Sequence, residues 1–248
     1  MNLDFLRSAS RTRVNAIVLR TTLLTPKMRR LVLGGPEVAA WLESVDADSA
    51  AAWVKVFPPG RSGRAYTIRR IDEQARTLDV DFVLHGDDRD DGSVSAWARD
   101  AQCGDQVDIA GPRDGGFSLQ RDTKWVWLAA DASALPAAQS ILERLPHGLP
   151  VTALFVVHDE HERQLIRSSA RMHVQWRYRR TPPLAMAADD PVRTRSSSVT
   201  EGLGQVWMAG EATWVKQWRS YWLEYEDLDA QRIACKGYWK PGTQDHRD

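Results

Sequence analysis

The strongest constraint on the fold is a change of hydrophobic rhythm near residues 118–124, "SLQRDTK". Before it, apolar residues come in short, β-branched runs punctuated by Gly, Pro and Asp. "TRVNAIVLRTTLLTPKMRRLVLGG" holds two such runs, split by Thr25-Pro26 and closed by Gly34-Gly35. "AAWVKVFPPG", "AYTIRRI", "TLDVDFVLHG" and "GDQVDIAGPRDGGF" add four more, with "DEQAR" as a polar turn. Short strands at near-regular spacing imply a small antiparallel β-barrel. One helical insertion is expected in it, at "DGSVSAWARDA", just before Cys103.

After that point strands alternate with helices. "KWVWLAADASALPAAQSILERLP" reads as a buried strand, a turn and an amphipathic helix, and "PVTALFVVHDEHERQLI" reads as a second strand and helix. "MHVQWRYRR" is a third strand, and "QVWMAGEATWVKQWRSYWLEY" a fourth strand followed by a helix. Such alternation indicates an α/β domain with a parallel sheet of nucleotide-binding type. The expected domains are residues 1–120, a β-barrel, and 121–248, an α/β domain with a C-terminal tail. The Pro/Ser-rich segment "MAADDPVRTRSSSVTEGLG" is expected as a surface loop.

Composition removes several function classes. Lys+Arg and Asp+Glu both number 33, so the formal net charge is zero. A balanced chain has no global attraction for nucleic acid or an anionic membrane, so neither is expected as a partner. The two cysteines, Cys103 and Cys235, stand far apart and form no CxxC. That excludes a cysteine-ligated iron–sulfur cluster and a four-cysteine zinc site, and fits a reducing compartment. The N-terminus carries no apolar run of signal-peptide length, and nowhere do about 18 apolar residues run together. The expectation is a cytoplasmic monomer.

Chemistry-bearing residues concentrate in a few places. In "RAYTIRR", Arg64 and Tyr66 point one way on a strand and Thr67 the other, unless Thr67 reaches a ligand at the strand end. Together they offer a cation, an aromatic face and a hydroxyl, which suits a flavin; the bland alternative is a strand with a core tyrosine. Downstream, Gly92-Ser93-Val94-Ser95 opens a helix whose N-terminal amides suit a diphosphate, although Ser is also an ordinary cap. His158 and His161 flank a strand–helix junction without a third ligand and read as a solvated turn. "WRYRR" reads as a solvated edge, with Arg179 an alternative phosphate contact. Asp159 and Glu160 favour a free ribose 2′-hydroxyl, and Arg179 favours a phosphate, so the nucleotide is NADPH or NADH.

In order, R-x-Y-T-x-R, "VDFVLHG", a short helix ending in "WA", "GDQVDIAGP", "ADASALPAAQSILERLP", "WRYR", "VWMAGEATWVKQWRSYW" and "GYWKPG" resemble the siderophore-interacting protein family. These are ferric-siderophore reductases of the ferredoxin-reductase-like superfamily, and the resemblance runs from about residue 14 to 242. It implies a flavin-binding barrel and an NAD(P)-binding α/β domain. FAD would be held by Arg64, Tyr66 and Thr67. Asp81, Phe82, Val83 and His85, with Gly92, Ser93, Val94, Ser95 and Trp97, would lie along the adenine side and diphosphate. Asp131, Ser133, Ala134, Arg179, Gly210 and Glu211 would line the NAD(P)H side, with a weak preference for NADPH. The loop "GDDRDDGSVSAW" is longer and more acidic than usual, Ser93 stands where the family often has proline, Ser133 replaces a threonine and Tyr178 a histidine.

The implied activity is NAD(P)H-dependent reduction of a ferric siderophore, a small-molecule substrate, with release of Fe(II). Hydride donors give two electrons and Fe(III) takes one; a flavin bridges the two, so no catalytic residue beyond the cofactor is expected and no resident metal. Lys216, Lys236 and Lys240 are candidate contacts for an anionic chelate. Two alternatives stay open at this point: a flavin reductase for a quinone or redox protein, and a siderophore carrier without turnover.

Overall fold

The computed structural model describes residues 13–84, 93–179, 202–224 and 226–243. The chain divides into two compact units between Gly116 and Phe117. The segment expected as a surface loop, residues 186–204, lies outside the described residues but for its last three.

Six strands build the first unit: β1 (Val14–Thr25), β2 (Met28–Gly34), β3 (Trp53–Phe57), β4 (Arg64–Asp72), β5 (Thr77–Val83) and β6 (Gln106–Arg113). They close into an antiparallel barrel in the order β1-β2-β5-β4-β3-β6. Closure leaves no open edge. Period-two alternation sends Leu31, Leu33, Val54, Val56, Leu78, Val80, Phe82, Val107 and Ile109 into one core.

One helix is expected in this unit from sequence; among the described residues there are two. The unexpected one is α1 (Pro36–Ser44), with proline in its first turn, Glu37 beside it, and Val38 and Trp41 buried. Trp41 Nε1 donates to the carbonyl of Gly111 at 3.0 Å. The expected one is α2 (Val94–Asp100), capped by Ser93, whose hydroxyl accepts the Ala96 N–H at 3.0 Å.

Five strands form the sheet of the second unit: β7 (Trp125–Asp131), β8 (Pro150–Val157), β9 (Arg171–Tyr178), β10 (Gly204–Glu211) and β11 (Ile233–Trp239). Their order is β11-β10-β7-β8-β9 and every pairing is parallel. Two elements differ from expectation. The helix expected after β8 is a single 3-10 turn at Glu160–Glu162, because "HDEHER" offers no apolar stripe to bury. The C-terminal stretch adds β11, beyond the four strands read from sequence.

Helix α3 (Leu135–Leu142) packs against β7. Helix α4 (Ala212–Glu224) covers a face formed by Trp125, Trp127, Ala129, Val206 and Met208, onto which it lays Trp214, Trp218, Tyr221 and Trp222. The indole N–H groups of Trp127, Trp218 and Trp222 are buried there without acceptors among the described residues; ring contacts of 4.8 and 5.1 Å join Trp127 to Trp218 and to Trp222. No described helix is long and apolar enough to cross a membrane.

Candidate functional site

In the barrel unit, β4 carries the R-x-Y-T residues opposite β3, with Val54 facing Tyr66 and Val56 facing Arg64. Thr67, on the other face, is buried. The Tyr66 ring lies 4.3 Å from that of Phe82 on β5, and Phe82 meets Trp97 of α2 edge-on at 6.1 Å. Burial pushes the Tyr66 phenol well above the usual tyrosine range, and the Arg64 guanidinium offsets only part of that shift. The ring therefore stays neutral, packed against Phe82.

The start of α2 is tied to the same region. Ser95 Oγ donates to the carbonyl of Val83 at 2.8 Å, and Arg61 Nη1 donates to the carbonyl of Ser93 at 2.8 Å. At the far end Arg29 donates to the carbonyls of Arg99 and Ala101. The structure thus brings Arg64, Tyr66, Val83, Ser93, Ser95 and Trp97 into one neighbourhood, with Arg61 added. Three expected contacts have their side chains engaged elsewhere. Phe82 is wholly buried under Tyr66, and Val94 is buried. The Asp81 carboxylate takes a bidentate pair from Arg30 of β2, at 2.6 and 2.8 Å. His85 and Gly92 lie outside the described residues.

In the α/β unit the expected residues meet at the C-terminal ends of the strands. From β7 the chain runs through β8 to β9 on one side, then places β10 on the other, so the order reverses between β7 and β10. Open parallel sheets bind ligands at such a switch point. Asp131 ends β7 there, with 2% of its side chain exposed. Its Oδ1 accepts the N–H of Ser133 at 2.9 Å and its hydroxyl at 2.5 Å. Its Oδ2 accepts Arg179 Nη2 at 3.2 Å, the N–H of Glu211 at 3.0 Å and Trp239 Nε1 at 2.8 Å. The Ala134 N–H donates to the Asp131 carbonyl at 3.0 Å.

Gly210 makes this possible. Its φ is +147°, and a Cβ there would stand 2.7 Å from Asp131 Cγ. The Glu211 carboxylate caps α4, accepting the N–H groups of Thr213 and Trp214 at 2.9 and 2.8 Å. Trp239 was missed by the sequence reading, although it lies in the quoted "GYWKPG"; it is 108 residues from its partner, and no local spacing signals the bond. Arg61 was missed too, and the cluster of arginines around "RSGR" was the available signal.

The three candidate substrate lysines do not share one surface. Lys216 and Lys240 are exposed. Ile233 and Cys235 pack towards α4, so Lys236, by strand alternation, points from the other face of the sheet. Among the described residues no group of three or more His, Cys, Asp or Glu is placed to hold a metal.

Comparison with known proteins agrees with this arrangement. The profile of siderophore-interacting proteins matches residues 123–242, and that of the siderophore-interacting FAD-binding domain matches residues 41–116. Ferric vibriobactin reductase of Vibrio cholerae is 32% identical over 92% of this chain and 89% of its own. An NADPH-dependent ferric-chelate reductase of Escherichia coli is 26% identical over 90% of this chain and 91% of its own. A siderophore utilization protein from T. fusca superposes with a TM-score of 0.80 at 29% identity, covering 95% of both chains. The chain belongs to the siderophore-interacting protein family.

Proposed function

We propose that this protein is an FAD-dependent oxidoreductase that uses NADPH to reduce ferric siderophores. The observation that carries the reading is that each motif set gathers within its own unit, one on a closed barrel and the other at the switch point of a parallel sheet. The barrel's donor set fits FAD. Arg64 and Arg61 supply cations for a diphosphate and the neutral Tyr66 ring supplies a stacking face, whereas the Thr67 side chain is buried on the other face of β4 and leaves its backbone as the group that could reach the ligand. Phe82 and Trp97 hold Tyr66 in place, so little ring freedom is lost on binding.

FAD, when bound, would supply the redox chemistry that links a two-electron hydride donor to the one-electron acceptor Fe(III). The chain's own task is to bind and orient. Backbone groups from Ser93 to Ser95 would hold the diphosphate, and the Asp131 end of the sheet would receive the nicotinamide nucleotide. The preference for NADPH has a structural support. Asp159, the carboxylate that would select a ribose hydroxyl, has its Oδ1 committed to the His161 N–H at 2.9 Å. Arg179 keeps a third of its side chain exposed. Exposed Lys216 and Lys240 serve the anionic chelate. The enzyme works as a cytoplasmic monomer in this reading.

An anaerobic titration tests it. FAD-loaded protein should lose its visible flavin bands on adding NADPH and regain them on adding a ferric siderophore, with Fe(II) trapped by a chelator. Bleaching without return would move the acceptor elsewhere. Failure to bind FAD would overturn the reading.

A further inference from the structure

Asp131 has no capacity left for a ligand. An ionised carboxylate offers about four lone-pair positions, and five donors from four parts of the chain already occupy this one. Gly210 closes the remaining approach, being so near that a Cβ would collide with the carboxylate. Arg179 is in the opposite state. One Nη2 is held by Asp131, while no acceptor among the described residues takes its Nε or Nη1. Its guanidinium lies 5.1 Å over the Trp239 ring, and that ring is pinned through its own N–H to the same carboxylate. A register shift between β10 and β11, which pairs Gly210 with Gly237 but Glu211 with Trp239, re-aims the tryptophan towards Asp131.

We infer that Asp131 is a positioning residue that locks Arg179 and Trp239 into a preformed clamp, whose uncommitted guanidinium N–H groups receive a phosphate of the pyridine dinucleotide. The inference rests on the nicotinamide reading above and assigns the work within it. Arg179 touches the ligand, Trp239 is its backing plate, and Asp131 acts through both. A planar guanidinium with two donors forward matches a phosphate's paired oxygens, and holding it in advance removes the rotamer cost of binding.

The test is calorimetric titration of FAD-loaded protein with NADP⁺ and NAD⁺, without turnover. Arg179→Ala is expected to weaken binding about tenfold, the worth of one charge-assisted bond. Asp131→Asn should weaken it by a similar factor, because the amide presents a donor to the three donors that meet Oδ2. The double variant Asp131→Asn/Arg179→Ala should be no worse than Arg179→Ala alone, since Asp131, directly and by pinning Trp239 as the backing of the guanidinium, reaches the ligand through Arg179. Losses that multiply instead, to about a hundredfold, would mean that Asp131 meets the ligand itself, and would overturn the assignment.

Trp239→Phe keeps the ring and removes one N–H. It should weaken binding about threefold with the thermal midpoint unchanged; unaltered affinity would overturn the pinning role. Loss confined to NADP⁺ identifies the 2′-phosphate as the clamped group, and equal loss for both nucleotides identifies the diphosphate; each supports the clamp. Wild-type protein that binds neither nucleotide would overturn the nicotinamide reading, whereas wild-type binding that Arg179→Ala leaves intact would overturn the clamp alone.

Discussion

In the barrel unit the residue central to the site is held by rings: Phe82 lies 4.3 Å beneath Tyr66, and Trp97 meets Phe82 from α2. In the α/β unit the residues central to the site are held by one carboxylate, Asp131, which reaches Arg179, Glu211 and Trp239 from the end of β7. The contrast extends to two buried aspartates. Asp81 is paired with Arg30 of the adjacent strand, which the barrel ladder already places beside it. Asp131 joins Arg179, Glu211 and Trp239, residues at the ends of β9, β10 and β11, of which only β10 is a ladder neighbour of β7. The barrel holds the Tyr66 ring through packing, whereas the open end of the parallel sheet gathers its residues through a polar tie. Apolar truncation should therefore hurt the first unit most, and the loss of one polar fit the second.

The largest effect expected from this contrast is Phe82→Ala. Phe82 is wholly buried, so removal should cost about 3–5 kcal/mol and release Tyr66. Denaturant unfolding followed by flavin fluorescence would measure it. A cost under about 1 kcal/mol, with FAD still retained, would break the claim that rings hold this unit.

Next comes Gly210→Ala. The position combines a positive φ with a Cβ 2.7 Å from Asp131 Cγ, so strain of about 1–3 kcal/mol is expected in addition to displacement of the carboxylate. NADP⁺ affinity should fall while FAD retention stays at the wild-type level. If both cofactors were lost together, the two units would not be independent in the way the comparison supposes.

Much of this architecture is legible in sequence, and the exceptions have identifiable causes. Strands β1 to β6 announce themselves because a half-buried strand must alternate, and β7, β8 and β10 because parallel strands covered on both faces read as apolar runs, while β9 is a polar edge strand with Met172, Val174 and Trp176 in alternation. Helix α1 carried its own signals, Pro36 and Glu37 behind a glycine pair, and was masked by reading Gly34-Gly35 as a turn between strands. "HDEHERQLI" has helix-forming residues, but they bury almost nothing, and the segment after the 3-10 turn runs non-helical, with Arg163 over the Trp176 ring. Strand β11 contains Lys236 and Gly237 and gains its order from β10 alongside. The R-x-Y-T residues were legible because one strand holds them. The partnership of Asp131 with Trp239 was not, since pairing across 108 residues is a property of the folded sheet.

A smaller effect is expected from Arg64→Ala. Arg64 begins β4 and is half-buried, so its loss should spare the barrel and weaken FAD binding about tenfold, as for one charge-assisted contact. Equilibrium dialysis of FAD measures it. Unchanged affinity would remove Arg64 from the site and leave the diphosphate to Arg61 and α2.

The smallest effect concerns Tyr66 and pH. Its phenol is shifted upward in the folded barrel, chiefly by burial, relative to an unfolded value of about 10. Above that value the unfolded chain releases a proton that the folded barrel keeps. This group's contribution is thus fully present below about pH 10 and is lost as the pH climbs further. Tyr66→Phe removes the titrating hydroxyl and keeps the ring on Phe82. The variant should match wild type near neutrality and lose less stability between neutral and strongly alkaline pH. A wild-type protein whose alkaline destabilisation is identical to that of the variant would mean that Tyr66 ionises as freely in the barrel as in water. The ring would then lie open to solvent, and the packing that distinguishes this unit would not extend to the residue proposed to stack the flavin.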